Sequence, residues 1–210
     1  MGMAYDVTKP PAEWVSLQAR RHSRTVALLL AAGMLVVALV WVFALGARSI
    51  PLSLGALLVL GTLSLLLDRR SDEAAHWIRG ARAETSVGET LNALRRHGYI
   101  VMHDLEQRYE GNIDHLVSGP TGVYMIETKL RRYEDFQLTK AKRQAARLHA
   151  ALDVWVTPVI CLDQRRRSKP FRAQGVWIVP RQSLLGWLRS QSNPALPFAR
   201  LATYADSVAP

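Results

Sequence analysis

The stretch Gly111–Lys129 reads GNIDHLVSGPTGVYMIETK and decides the fold class of this chain of 210 residues. Two runs rich in apolar and β-branched residues, NIDHLVS and VYMIETK, are separated by GPTG, which is a strong turn signal. The stretch therefore predicts two strands joined by a short turn. Because the turn is short, Asp114 in the first strand can lie across from Glu127 in the second.

The second strand also carries a lysine close to its glutamate. Glu127 and Lys129 are two residues apart, a spacing that points both side chains to one face of a strand. Carboxylates bind Mg²⁺ through oxygen, and a bound metal neutralises a phosphate and lowers the pKa of water. A nearby lysine can orient or deprotonate that water, or stabilise charge on the phosphate oxygens. The alternative is a same-face salt bridge between Glu127 and Lys129, worth under about 1 kcal/mol.

Helices and further strands are predicted on both sides of this stretch. Ser86 is a plausible N-cap with Glu89 at the capping-box spacing, and Gly98 is a natural helix stop. The order of elements predicts a mixed sheet with helices on its faces. The predicted elements are a helix over 71–98, strands over 99–105, 112–118 and 123–129, a helix over 138–152, strands over 154–162 and 175–180, and a short helix over 183–188.

The deciding stretch resembles the core of the NERD (nuclease-related) domain, a branch of the PD-(D/E)xK nuclease superfamily. The motifs I-D-H, G-P-x-G-V and I-E-x-K occur in order and closely spaced, and Gly88-Glu89 resembles the family's helix motif. The resemblance covers roughly residues 84–162 and implies a restriction-endonuclease-like α/β core. Ile113 stands where the superfamily's name expects proline, a departure that does not put the fold in doubt.

The resemblance also assigns roles to individual residues. It implies that Asp114 and Glu127 bind Mg²⁺ (or Mn²⁺), with Glu89 as an accessory acid and further metal ligand. It implies a catalytic role for Lys129, and Gln144 is the helix glutamine that fits a supporting position. The implied activity is cleavage of nucleic acid, either DNA or RNA.

The charge of the chain favours polyanionic partners. It carries 27 Lys and Arg against 17 Asp and Glu, a formal net charge of +10, which attracts nucleic acid or anionic lipid head groups. The basic cluster Arg165, Arg166, Arg167 and Lys169 could bind either. Cys161 is the single cysteine, so an intrachain disulfide is excluded, and it lies in an apolar predicted strand. The sequence contains no zinc-binding pattern of Cys and His.

Two apolar runs near the N-terminus predict a pair of transmembrane helices. Thr25–Gly46 contains no charged residue and is long enough to cross a hydrocarbon core of about 30 Å. It is too long for the apolar region of a signal peptide, and Arg48 follows it. The second run, Ile50–Leu67, is just long enough to span; a re-entrant or interfacial segment is the alternative.

Basic residues on both sides of the runs predict the orientation. Arg20, Arg21 and Arg24 precede the first run, and Arg69 and Arg70 follow the second. The positive-inside bias then places both termini in the cytoplasm of a multi-pass plasma-membrane protein. The predicted domains are a cytoplasmic N-terminal segment 1–24, a transmembrane hairpin 25–67, a NERD-like nuclease domain 72–190 and a tail 191–210.

The function expected from these features is a membrane-anchored, Mg-dependent nuclease that hydrolyses phosphodiester bonds of nucleic acid. One alternative is a NERD-fold module with weak or no catalysis that binds nucleic acid or a protein partner at the membrane. Another is a structural membrane protein whose basic surface contacts lipid. The expected partners are therefore nucleic acid and the lipid bilayer.

Overall fold

A computed structural model of the chain describes residues 13–47, 50–105, 111–164 and 169–195. The described residues fall into two compact units, with the boundary between Arg79 and Gly80. The predicted segment 1–24 and tail 191–210 are therefore only partly described, and their boundaries stay predictions. The elements are α1 (Glu13–Ala47), α2 (Ile50–Asn92), a 3-10 helix (Ala93–His97), β1 (Ile100–Leu105), β2 (Ile113–Gly119), β3 (Gly122–Lys129), α3 (Asp135–Leu152), β4 (Val156–Leu162), β5 (Phe171–Ala173), β6 (Val176–Pro180) and α4 (Arg181–Ser190).

The prediction of two transmembrane helices was wrong. Within the residues that the structure describes, no helix has the length and apolar character needed to cross a bilayer. The runs Thr25–Gly46 and Ile50–Leu67 are parts of longer helices: α1 already begins at Glu13, and α2 continues through charged residues as far as Asn92. Judging each apolar run as a separate segment ignored this continuity. The predicted hairpin, the plasma-membrane localisation and the lipid partner depended on these spans and are not supported.

The mixed sheet with flanking helices is confirmed. Its six strands lie in the order β1-β2-β3-β4-β6-β5. Strands β1, β2 and β3 form an antiparallel meander, and β4 pairs parallel to β3 after the crossover through α3. Strand β6 is parallel to β4, and the edge strand β5 is antiparallel to β6. A parallel pair requires such a crossover, so α3 lies against one face of the sheet.

Strand β3 is covered on both faces, which explains its nearly continuous apolar sequence. Val123 and Met125 belong to the hydrophobic cluster that includes residues of α3, whereas Tyr124 and Ile126 belong to the cluster that includes residues of α2. Cys161 on the neighbouring β4 is fully buried in the second cluster, and burial raises the pKa of its thiol. Residues 123–126 of β3, which lead into its charged end, are therefore packed on both faces.

Several element boundaries differ from the predicted ones. Ser86 is not an N-cap, because α2 passes through it without a break. Gly98 ends the 3-10 helix that follows α2, and its φ of 77° favours glycine. The short strand β5 lies between the predicted strands 154–162 and 175–180, where the sequence predicted no strand. Of the basic cluster, residues 165–167 lie outside the described residues, and Lys169 is exposed.

The turn between β2 and β3 depends on glycine. Gly119 pairs with Gly122, which has a φ of 126°. A Cβ atom on Gly119 would collide with the ring of Tyr99, so only glycine allows the close approach of that ring to the turn. This turn fixes the register of the hairpin that carries the candidate site.

Candidate active site

The candidate active site lies where strands β2 and β3 separate. The pairing of β2 with β3 runs from the turn to His115 and Ile126 and stops there. Strand β3 nevertheless continues to pair with β4 through its last three residues, 127–129. The side chain of Asp114 occupies the opening, and its Oδ2 accepts a hydrogen bond of 2.6 Å from the backbone N–H of Thr128. A carboxylate thus replaces the next strand-to-strand hydrogen bond.

The side chain of Glu127 points into this opening, and its two carboxylate oxygens have different surroundings. Its Oε1 accepts hydrogen bonds from Nζ of Lys129 at 2.7 Å and from Nζ of Lys140 at 3.3 Å. Its Oε2 is buried and has no hydrogen-bond partner within the described residues. The Glu127 side chain is only 6 % exposed, whereas those of Lys129 and Lys140 are 23 % and 29 % exposed. Solvent therefore reaches the site along the two lysines.

The charges of the site shift the pKa values of its members. Burial, followed by repulsion from the Glu127 carboxylate, raises the pKa of Asp114 to about 7, although Lys129, the N–H of Thr128 and Lys140 act in the opposite direction. Burial lowers the pKa of Lys129, but the carboxylates of Glu127 and Asp114 outweigh it, so that the pKa is raised. The site thus stabilises a positive charge and disfavours a second negative one.

The helix α2 presents a different glutamate from the one implied by the sequence motif. Glu89 is exposed, and no described hydrogen bond or ion pair joins it to the site. Glu84 is buried, 5 % exposed, and is close enough to Lys129 to contribute to raising the pKa of that lysine. Glu84 shares the buried face of α2 with Val87 and Leu91, to which it is related by helical spacing. The structure therefore places Glu84, and not Glu89, beside the cluster.

Gln144 supports the chain just before Asp114. Its side chain is fully buried on α3, and its Nε2 donates a hydrogen bond of 3.3 Å to the carbonyl oxygen of Asn112. Asn112 in turn donates from Nδ2 to Oδ1 of Asp104 at 2.6 Å. Gln144 therefore binds the backbone at Asn112, two residues before Asp114, and so helps to position the strand that carries Asp114.

A chain of hydrogen bonds lies behind the site on the α2 side of the sheet. Nε of Arg95 donates to Oδ1 of Asn92 at 3.0 Å, and the same oxygen lies 3.1 Å from Nε2 of His103. His103 and His115 meet through their Nδ1 atoms at 2.9 Å, and Nε2 of His115 lies 3.2 Å from Oγ1 of Thr128. The chain ends at the residue between Glu127 and Lys129.

These partners assign the protons of both imidazole rings. Oδ1 of Asn92 only accepts, so Nε2 of His103 carries a hydrogen and its Nδ1 accepts from Nδ1–H of His115. Nε2 of His115 then accepts from the hydroxyl of Thr128. Burial, followed by Arg95, lowers the pKa of His103 to about 4, and burial, followed by His103, lowers the pKa of His115 well below its ordinary value. Both rings are therefore neutral near pH 7.

Three contributors were missed by reasoning from the sequence. Lys140 lies one helical turn before Gln144, so the spacing of four residues was a usable signal. Glu84 lies three residues before Val87 on the apolar face of α2, which was also readable. No sequence signal joined His103 to His115, because their contact depends on the register of β1 against β2.

The residues present fit a hard divalent cation. Mg²⁺ is commonly bound through one or two carboxylates, with water and substrate phosphates completing its shell. Asp114 and Glu127 supply two such carboxylates, and the buried Oε2 of Glu127 lacks a partner. In the described ranges, no group of three His, Cys, Asp or Glu side chains is arranged to hold a metal by itself. The fit is therefore to an ion that also needs ligands from a substrate or from water.

Comparison with protein families agrees with the sequence motifs. Residues 79–163 match the family model of NERD, the nuclease-related domain. The resemblance predicted from the sequence is confirmed, and residues 79–163 are called the NERD region below. The NERD region includes the acidic and basic residues of the site, and it lies within the predicted domain of residues 72–190, whose boundaries stay a prediction.

Known structures and curated proteins add little to this match. The chain is similar to the crystal structure of a repair endonuclease from Pyrococcus abyssi, with 15% identity and a TM-score of 0.30. The similarity covers 50% of this chain and 42% of that one, so the chain spans less than half the length of that structure. A similarity of this size says nothing about function. No curated protein matches the chain.

Proposed function

We propose that the NERD region hydrolyses phosphodiester bonds of nucleic acid with the help of a divalent cation, Mg²⁺ or Mn²⁺. The observation that carries the proposal is the convergence of Asp114, Glu127 and Lys129 at the opening between β2 and β3. Two carboxylates and a lysine are the groups that this reaction requires. The partly exposed lysines leave a route for a phosphate to reach them.

Each residue has a distinct role in this proposal. Asp114 and Glu127 hold the cation, which when bound neutralises phosphate charge and lowers the pKa of a water molecule. Lys129 has a raised pKa, so its ammonium group stays charged and stabilises negative charge on the phosphate oxygens. Removal of a proton by Lys129 is the less favoured of the two roles considered from the sequence.

The accessory acid in this proposal is Glu84. It is buried and acts on Lys129, whereas Glu89 is exposed on another face of α2. A buried carboxylate such as that of Glu84 needs a nearby positive charge, whereas the exposed carboxylate of Glu89 is stabilised by water. Gln144 acts as a positioning residue through the carbonyl oxygen of Asn112.

The full chain should be incubated with single- and double-stranded DNA and RNA in Mg²⁺, Mn²⁺ or EDTA. We expect cleavage only with a divalent cation, and a loss of at least about 100-fold in the variant Lys129→Met. The control Arg189→Met removes an exposed positive charge from α4 and should cleave normally. Absence of cleavage with every metal and substrate, or equal cleavage by Lys129→Met, contradicts the proposal.

A second candidate is a binding module that keeps the fold without turnover. It is supported by the two hydrogen bonds from Lys129 and Lys140 to Oε1 of Glu127, which supply counter-charge to this carboxylate without a metal. Such a module would bind oligonucleotides with a strong dependence on salt and would release them uncut. The same incubations distinguish the two candidates.

A further inference from the structure

A pocket of about 320 Å³ lies on the flank of helix α3 opposite to the candidate active site. At 100° per residue, positions 140 and 144 face one flank of α3 and positions 142, 146 and 149 face the other. Ala145 and Ala146 of α3 and Val156 and Pro158 of β4 form apolar walls, and the β5–β6 turn closes the pocket at Gly175. The pocket is large enough for a small planar molecule.

Trp155 provides an exposed aromatic surface in this pocket. Its side chain is 53% exposed. Its ring lies beside the ring of His149, with centroids 6.2 Å apart and planes tilted by 57°. An indole ring left this open to solvent is suited to stacking against a flat ligand, as aromatic residues do in proteins that bind single strands.

The charged residues that line the pocket are basic. Lys142 of α3 and Arg172 of β5 are both exposed, and neither forms an ion pair within the described part of the chain. The guanidinium of Arg172 lies over the ring of Trp177, 6.0 Å from its centroid, and Trp177 packs with the cluster on the sheet face opposite to α3. Lys142 is therefore the cation that faces the pocket from α3. Among the described residues, no aspartate or glutamate lines the pocket. The pocket is therefore complementary to an anion attached to a flat ring.

His149 supplies a hydrogen-bond acceptor at the same place. Its Nδ1 lies 2.8 Å from the carbonyl oxygen of Val154. Because a carbonyl only accepts, Nδ1 carries the hydrogen and Nε2 of the neutral ring is an acceptor. This nitrogen can accept a hydrogen bond from an amino group or a ring N–H, both of which occur on nucleobases.

We infer that this pocket binds one nucleotide of a single-stranded nucleic acid, with the base stacked on Trp155 and its phosphate near Lys142. The inference rests on the proposed function and deepens it, since it specifies a single-stranded nucleic acid as the substrate of the candidate active site. Val156 at the pocket and Ile160, the partner of Glu127, are four residues apart on β4, about 13 Å. Both residues are buried beneath α3, so a strand that joins the pocket to the site passes around the helix and needs more than about four stacked nucleotides.

The test uses the full chain in EDTA, so that binding is measured without cleavage. A single-stranded oligonucleotide of about 12 nucleotides, several times the spacing between the two places, carries 2-aminopurine as a fluorescent base. We expect its fluorescence to be quenched on binding to the wild type. In Trp155→Ala the quenching should disappear and affinity should fall about tenfold, and Trp155→Phe should retain most of both. Trp41→Ala removes another exposed tryptophan and should bind as the wild type.

The contribution of charge is tested with Lys142→Ala. It should lower the slope of log affinity against log salt by about one, while Arg189→Ala should leave the slope unchanged. Unchanged quenching and affinity in Trp155→Ala would overturn the inference. Binding of adenosine monophosphate to the pocket without binding of the oligonucleotide would overturn it as well.

These results separate the inference from the proposed function. If Lys129→Met cleaves like the wild type while Trp155→Ala loses quenching, hydrolysis at the assigned site is wrong and the pocket stands. If metal-dependent cleavage is found while Trp155→Ala binds normally, the pocket is wrong and hydrolysis stands.

Discussion

Oδ2 of Asp114 lies 2.6 Å from the backbone nitrogen of Thr128, the residue between Glu127 and Lys129. This hydrogen bond joins the end of β3 to β2 after their regular pairing has stopped at His115 and Ile126. Asp114 therefore has two tasks that can be separated. It accepts a hydrogen bond from the backbone, and it supplies negative charge to the site.

Replacement of Asp114 tests these two tasks. Asp114→Asn keeps an oxygen for the N–H of Thr128 and removes the charge, so we expect near-normal stability and a loss of metal-dependent cleavage of at least about 100-fold. Asp114→Ala also leaves the N–H without its partner, which should lower the free energy of unfolding by about 1–3 kcal/mol. Urea unfolding and cleavage assays at pH 8 measure both effects. Equal destabilisation by Asn and Ala would contradict the first task.

The pair Glu84→Gln and Glu89→Gln tests which helix acid serves the site. The two substitutions make the same chemical change on the same helix, but Glu84 is buried beside Lys129 and Glu89 is exposed. We expect cleavage to fall about tenfold or more in Glu84→Gln and to stay unchanged in Glu89→Gln. Initial rates at saturating Mn²⁺ provide the measurement. The reverse order of effects would restore Glu89 as the accessory acid.

The buried histidine pair predicts a loss of stability in acid. Unfolded His103 binds a proton near its ordinary pKa of 6.5, whereas folded His103 does so only near 4. Unfolding therefore takes up a proton between these pH values, so the free energy of unfolding falls as the pH drops from 6.5 to 4, by about 3 kcal/mol. Asp114, whose pKa is raised to about 7, acts with the opposite sign, so the comparison needs a variant.

That variant is His103→Gln, with the exposed His97→Gln as its control. Urea unfolding at several pH values should show a flatter pH dependence for His103→Gln, while His97→Gln follows the wild type. A dependence on pH that is identical in all three proteins would show that His103 is not the group that titrates.

Glycine at the hairpin turn predicts a further difference in stability. Gly119→Ala places a methyl group against the ring of Tyr99 and should lower the free energy of unfolding by about 1–3 kcal/mol. Gly186→Ala makes the same change in α4, where no atom of the described residues lies within 4 Å of the new Cβ, and should raise the free energy of unfolding by about 0.5–1 kcal/mol. Thermal unfolding measures both. Stabilisation by Gly119→Ala would mean that the ring moves away freely.

The hairpin and the residues on its strands were predictable because the signals are local. The alternation along β3 placed Glu127 and Lys129 on one face, and the short turn placed Asp114 opposite. The helical spacing of Lys140 and Gln144 places both on one flank of α3, but the contact of Lys140 with Glu127 depends on how α3 crosses the sheet. The sequence could therefore indicate the strand residues of the site but not all the helix residues.

The errors on α1 and α2 have a different cause. Ser86 and Glu89 have the spacing of a capping box, but that spacing begins a helix only where the preceding residues are not helical. Because α2 is already helical before Ser86, the pattern there has no capping role, and the attention it drew to Glu89 hid the buried Glu84. The apolar runs were likewise read without the charged sequence that continues their helices.

The burial of Cys161 gives the molecule an internal reporter of opening. It is the single cysteine of the chain, it lies fully buried on the central strand β4, and burial keeps its thiol protonated. A thiol reagent can reach it only after the cluster that covers Cys161 on one face of the sheet has opened. Labelling rates in dilute reagent therefore follow the breathing of the sheet itself, and a cysteine introduced on the surface would be modified selectively.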